Sequence, residues 1–186
     1  MALTPAKVHA KARTRRWLKP LLLVFWLFLL GLFFANFEIQ IEGGSGWAAN
    51  LPTWRIEKHP LLDLFWCGKP LTGYHLWGFS FMLLVFHLPL VMLGRWSIKL
   101  EARVVGSVCV FWIIEDFLWF ALNPAFGLGK FNPASVPWHR NWIAGMPADY
   151  IVFVCAGAIL IWFSYREQKT TPKESGRGTP PSGTRD

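Results

Sequence analysis

The sequence is poor in charge and carries almost none of the residue spacings that announce a known chemistry. Only 16% of its 186 residues are charged, with 11 acids against 19 lysines and arginines. It has no HExxH, no Glu-x-x-His and no HxxxH, the helical spacings that set two metal ligands on one face. Gly43-Gly-Ser-Gly46 lacks the lysine and the preceding buried strand of a phosphate-binding loop. Neither Ser80 nor Ser107 sits in a nucleophile elbow. The three cysteines, Cys67, Cys109 and Cys155, form no CxxC pair and imply no disulfide framework. Without an internal repeat, an inverted-repeat transporter is poorly supported.

What the sequence has in abundance is apolar and aromatic mass. Hydrophobic residues make up 53% of the chain, with 12 Trp and 16 Phe, a composition that points to lipid and its interfaces. Four runs approach the ~20 residues that a helix needs to cross a hydrocarbon core. They are Trp17–Phe37, Thr72–Leu93, Val104–Leu122 and Tyr150–Tyr165, and Tyr150 and Tyr165 read as interfacial anchors. Pro89 predicts a kink in the second run, with His87 bonding a carbonyl that the proline frees. The expected fold is all-α: a four-helix transmembrane bundle.

The net charge of +8 is distributed as a topology signal. Fourteen of the basic residues fall in the N-terminal arm, the loop Gly94–Arg103 and the tail after Tyr165; only Arg55, Lys58, Lys69, Lys130 and Arg140 fall in the other two loops. The positive-inside rule therefore predicts a multi-pass protein of the cell membrane with both termini cytoplasmic. No basic patch interleaved with aromatics points to nucleic acid, and membrane lipids are the expected partners. Residues 1–16 read as a basic cytoplasmic arm, 17–167 as the membrane domain, and 168–186 as a disordered tail without core-forming residues. The first run resembles a signal peptide, but Phe34-Ala-Asn-Phe-Glu38 offers no small-x-small cleavage site, which favours a retained anchor.

The two extracytoplasmic loops, about Glu38–Leu71 and Asn123–Asp149, are dense in Trp, Pro and Gly. They are expected to be ordered and to pack together as a lid over the outer ends of the helices. Within the first, Glu42 is expected to pair with Arg55 or to reach across to the second loop.

The one stretch that suggests chemistry is Trp112–Pro124, where Glu115 and Asp116 stand inside an apolar run. Acids at membrane depth are costly and face a protein interior or a cavity. A rise of ~1.5 Å per residue puts them about 10 to 12 Å below the outer surface. Glu115, Asp116 and His139 are the candidate catalytic groups; Asn123, Trp119, His75, Trp138 and Arg55 are the candidate ligand-binding ones. Carboxylate with imidazole suits a divalent metal such as zinc, iron or manganese, and equally a metal-free acid/base pair. No spacing specifies the metal. The blander alternatives are an ion pair of either acid with Arg55 or Arg140, and an interfacial anchoring role for Trp138-His139. The expected function is binding or transforming a lipid or isoprenoid-like molecule. The rival is a non-enzymatic accessory protein whose outer loops dock a membrane-protein partner.

Overall fold

The computed structural model describes residues 5–66 and 68–166. Residues 168–186, read above as a disordered tail, lie outside them. Four helices are long and apolar enough to cross a membrane: α1 (Pro5–Glu42, of which Leu18–Glu42 is the apolar part), α3 (Gly73–Leu93), α4 (Ile98–Leu122) and α5 (Ala148–Tyr165). Their surfaces are the inverse of a water-soluble protein's. Phe33, Trp77, Leu84, Val91 and Met92 are exposed, whereas Glu42, His75, Glu115, His139 and Asp149 are buried. An apolar exterior over a polar interior is the arrangement that lipid contact selects.

Local chemistry explains where each helix begins and ends. Thr72 caps α3 by accepting a hydrogen bond from the His75 amide at 3.2 Å, and Ser97 caps α4 through the Leu100 amide at 3.2 Å. Gly94, at φ +58°, ends α3 in the left-handed conformation that favours glycine. α3 carries Pro89 within one continuous helix. His87 bonds the Leu83 carbonyl (2.7 Å), not the Val85 carbonyl that Pro89 leaves free, and reaches Glu101 of α4 at 3.0 Å.

Helix α4 is the hub. It packs closely along α5 and α1 and only sparsely against α3. Close approach depends on small residues. A Cβ on Gly106 would stand 2.9 Å from the Gly157 carbonyl oxygen, and one on Gly157 2.9 Å from the Gly106 oxygen, so the α4 and α5 backbones meet there. Against α1 the same role falls to Gly31, whose Cβ would lie 2.8 Å from Ile114 Cγ2, and to fully buried Ala35 one turn on. Two apolar clusters complete the core. Leu27, Met82, Phe111 and Ile161 form one, and Ala35, Ile39, Trp119, Phe120 and Val136 the other.

The connectivity brings the last turns of α1 and α4 and the first turns of α3 and α5 to the same end. There the α1–α3 connection forms a short helix α2 (Pro60–Phe65) and an antiparallel pair, β1 (Arg55–Ile56) with β2 (Leu71–Thr72). The α4–α5 connection forms a 3-10 turn at Leu128–Lys130 and a hairpin, β3 (Trp142–Ile143) with β4 (Met146–Pro147). The connections touch where Arg140 Nη1 meets Asp63 Oδ1 at 3.4 Å, and where Asn123 Nδ2 donates to the Gly43 carbonyl at 2.8 Å.

Candidate functional site

Helix α1 runs to Glu42, past the Phe37 boundary expected from hydropathy, and turns Glu38 and Glu42 onto one face four residues apart. That face continues Gly31 and Ala35, so the close α1–α4 contact delivers Glu38 to Glu115. The Glu38 carboxyl lies within hydrogen-bonding reach of Glu115 and accepts from Tyr74 Oη of α3 at 2.9 Å. All four spanning helices therefore present polar side chains near one end: Glu38 and Glu42, Tyr74 and His75, Glu115 and Asp116, Asp149 and Tyr150. None lies deeper than about 10 Å from the end of its helix.

The second half of the cluster is organised by His139. Its ring is fully enclosed, with Nε2 at 3.1 Å from Asp116 Oδ2 and Nδ1 at 3.1 Å from Asp149 Oδ1. A neutral imidazole has one N–H, so donation to both carboxylates requires the imidazolium. Burial works against the charged ring. The hydrogen bond and charge of Asp116, then the bond to Asp149, outweigh it and hold the His139 pKa above its usual 6.5. The chain of contacts extends both ways. Asp149 Oδ2 pairs with Lys69 Nζ at 2.5 Å, and Asp116 accepts a hydrogen bond from Tyr150 Oη. His139 thus ties loop, α4 and α5 together. It is neither an anchor at the membrane surface nor a free ligand.

Residues Gly46, Trp47 and Ala48 form a turn with φ of +59°, +46° and +52°. Two of the three are not glycine, so the turn is strained and needs external support. Glu42 Oε1 accepts from the Ala48 amide at 2.6 Å, while Arg55 donates to the Ala48 and Trp47 carbonyls at 2.9 and 3.3 Å. The expected Glu42–Arg55 ion pair is replaced by this arrangement across a shared peptide, and the ion partner of Arg55 is Glu57 at 3.0 Å. The turn swings the Trp47 indole onto His75, with ring centroids 4.1 Å apart, and its Nε1 donates to the Pro70 carbonyl at 2.8 Å.

These parts enclose a cavity of about 350 Å³. Its polar end holds Glu38, Glu42, Lys69, Glu115, Asp116 and Asp149. Its apolar end descends past Phe79, Val108, Cys109, Trp112 and Ile113 to Ser80, Leu83 and Phe153. The last three are exposed on the outer faces of α3 and α5, so the apolar end opens sideways through the gap that sparse α3 packing leaves. Buried among the described residues are three side-chain polar atoms without any partner: Trp66 Nε1, Glu115 Oε1 and Trp119 Nε1. All three residues line this one cavity.

Of the residues expected from sequence, Glu115, Asp116, His75, Trp119 and Trp138 line the cavity, and His139 braces Asp116 from behind. Asn123 lies outside the wall. It is buried, donates to Gly43 and accepts from the Ala125 amide at 2.9 Å, which fastens the end of α4 to the end of α1. Arg55 serves the strained turn. The acids do not pair with Arg55 or Arg140; the ion partner of Arg140 is Asp63. Tyr150, expected as an interfacial anchor, is buried against Asp116. Among the described residues, no three His, Cys, Asp or Glu side chains converge as a metal-binding group, so Glu115, Asp116, His75 and His139 do not form one ligand set.

Sequence reasoning missed Glu38, Glu42, Lys69, Tyr74, Asp149 and Tyr150 as members of the site. The signal for the first two was their four-residue spacing at the end of an apolar run, and for Asp149-Tyr150 their position at the mouth of the last span.

The fold and cavity define a mostly helical protein with four helices long and apolar enough to cross a membrane and a buried acidic site at one end of them. Comparison with protein-family models, curated proteins and solved structures finds no match to this chain.

Proposed function

We propose that the chain is a cell-membrane protein that binds a lipid-like amphiphile. The polar head sits among the acids at the outer end of the bundle and the chain leaves through the gap between α3 and α5. The observation that carries this reading is one cavity whose wall is acidic at one end, at Glu38, Glu42, Glu115 and Asp116, and apolar at the other, where it opens past Ser80, Leu83 and Phe153. The volume falls within the ~300–1,000 Å³ of small-molecule sites, and the graded wall, acidic above and apolar below, matches an amphiphile.

The same geometry supports acid/base chemistry on the bound head. Asp116 faces the cavity and is held by two hydrogen-bonding neighbours, His139 and Tyr150, which is how a working carboxylate is fixed in orientation. Both loops pack above the head, and the excess of basic residues on the opposite side supports an outward-facing site.

The test is native mass spectrometry of the detergent-purified protein with lipid extraction. Wild-type protein is expected to retain an amphiphile. Cys109→Trp and Ile113→Trp, which fill the apolar end, are expected to lose it while keeping helical content and melting temperature. Full retention of the same ligand by both folded variants would overturn the reading.

A further inference from the structure

We propose that the end of the bundle opposite the acidic site binds an anionic phospholipid, its phosphate held between α4 and α5 and its chains lying along the exposed face of α5. This site is separate from the cavity and stands whether or not the cavity holds a ligand. Its cations are Lys99 and Arg103, one turn apart on α4, and Arg166, which ends α5. Arg103 donates from Nε to Ser164 Oγ at 3.2 Å and from Nη2 to the Ser164 carbonyl at 3.3 Å, and Lys99 Nζ donates to the Arg166 carbonyl. Both guanidinium groups rest on rings. Arg103 Cζ lies 4.1 Å from the Tyr165 centroid, and Arg166 Cζ 4.5 Å from that of Trp162.

Basic side chains beside a helix C-terminus satisfy its free carbonyls and its dipole, which accounts for part of this cluster. It does not account for the rest. Arg103 Nη1 and the Arg166 guanidinium donate to no acceptor among the described residues, and none of the three cations forms an ion pair there. Glu101 lies between Lys99 and Arg103 in sequence but points the other way round the helix, where His87 and Trp96 hold its two oxygens at 3.0 and 2.9 Å. At the opposite end of the bundle Arg55, Lys69 and Arg140 each have an acid partner. A guanidinium seated flat on a ring keeps its N–H edge free, and that edge is a fork that fits phosphate oxygens.

The helix face leading away from the cluster selects a lipid over a free phosphate. Val152, Cys155, Ile159, Trp162 and Arg166 recur at spacings of three and four and are all exposed, Ile159 by 62% and Trp162 by 60%. An apolar track that ends in an arginine stacked on a tryptophan matches the two halves of a phospholipid. A zwitterionic head would bring an ammonium that the cations repel, whereas an anionic head brings none.

The experiment titrates the full-length protein in detergent with phosphatidylglycerol or phosphatidylcholine of identical chains and counts bound lipid by native mass spectrometry. Phosphatidylglycerol is expected to bind at least about tenfold more tightly than phosphatidylcholine, in Cys109→Trp as in wild type. Arg166→Gln is expected to weaken phosphatidylglycerol at least about threefold and leave phosphatidylcholine unchanged; Lys99→Gln carries the same test if the first variant does not fold. Arg95→Gln removes an exposed charge at the same end, next to α3, and is expected to change neither lipid. Glycerophosphoglycerol, the head without chains, is expected to bind at least about a hundredfold more weakly than the lipid. Equal binding of the two lipids, or an equal loss in Arg95→Gln and Arg166→Gln, would overturn the site and leave only diffuse surface charge. Equal binding of the chainless head would overturn the lipid assignment. Loss of phosphatidylglycerol from folded Cys109→Trp would place that lipid in the cavity, overturning this site while supporting the cavity reading.

Discussion

Replacing His139 by Gln tests the polar core most directly, because two carboxylates depend on one ring. The ring is fully enclosed, Asp149 is 10% exposed and Asp116 24%. Removing one partner of a buried ion pair costs roughly 3–5 kcal/mol, and the partial exposure of Asp116 to the cavity places the expected loss near the lower bound, about 3 kcal/mol. The two carboxylates are not equally dependent. Asp149 keeps Lys69 at 2.5 Å when His139 is lost, whereas Asp116 keeps only the Tyr150 hydroxyl. A double-mutant cycle should therefore give a larger coupling for His139→Gln with Asp116→Asn, about 2 kcal/mol, than with Asp149→Asn, about 1 kcal/mol. Equilibrium unfolding in mixed micelles, followed by tryptophan fluorescence, measures both. Additive effects within ~0.5 kcal/mol in both cycles would refute the account of His139 as a charged bridge.

The same bridge sets a pH dependence. Burial and the facing Lys69 charge lower the His139 pKa, but Asp116 and Asp149 outweigh them and hold it above its usual 6.5, so its contribution is complete below about 6.5 and is lost as pH rises through the folded value. The stability gap between wild type and His139→Gln should be level at acidic pH and narrow above it; a gap that widens with rising pH would contradict this sign. Gly157→Leu should cost at least ~1–3 kcal/mol and disturb the α4–α5 pair, since a Cβ there already meets Val110 Cγ2 at 2.7 Å; an unchanged melting temperature would show that the helices are not in backbone contact. A reporter fused after Asp186 should be active only in the cytoplasm and one inserted near Gly44 only outside, and the opposite result would invert the proposed orientation.

The spans and the Glu115–Asp116 pair were legible because hydropathy and an acid inside an apolar run are local signals. The rest of the site is written in register and in long-range return. Glu38 looked like the end of a span because hydropathy averages over a window and stops at a charge; the helix continues because that charge turns inward beside Ala35 and Gly31. Asp149 and Tyr150 looked like surface residues because their partner, His139, returns to them only through the β3–β4 hairpin. Arg55 was drawn to the acids by charge. The strained carbonyls of Trp47 and Ala48 hold it instead, and a left-handed turn at two non-glycine residues has no sequence signature.

The position of the site's acids and rings near one end of each long apolar helix bears on how the chain is assembled. In the proposed membrane orientation each span meets the bilayer on its own with its carboxyls and rings close to the headgroups, where water and lipid oxygens solvate them, and with apolar length behind them. In the proposed orientation these acids come to rest near the headgroups, and no inserted helix holds one of them at the hydrocarbon centre. Dehydration comes afterwards, when Gly31, Gly106 and Gly157 let the helices close up and the groups find one another. In that orientation the acidic interior is a product of helix docking, and an undocked intermediate would keep its charges wet.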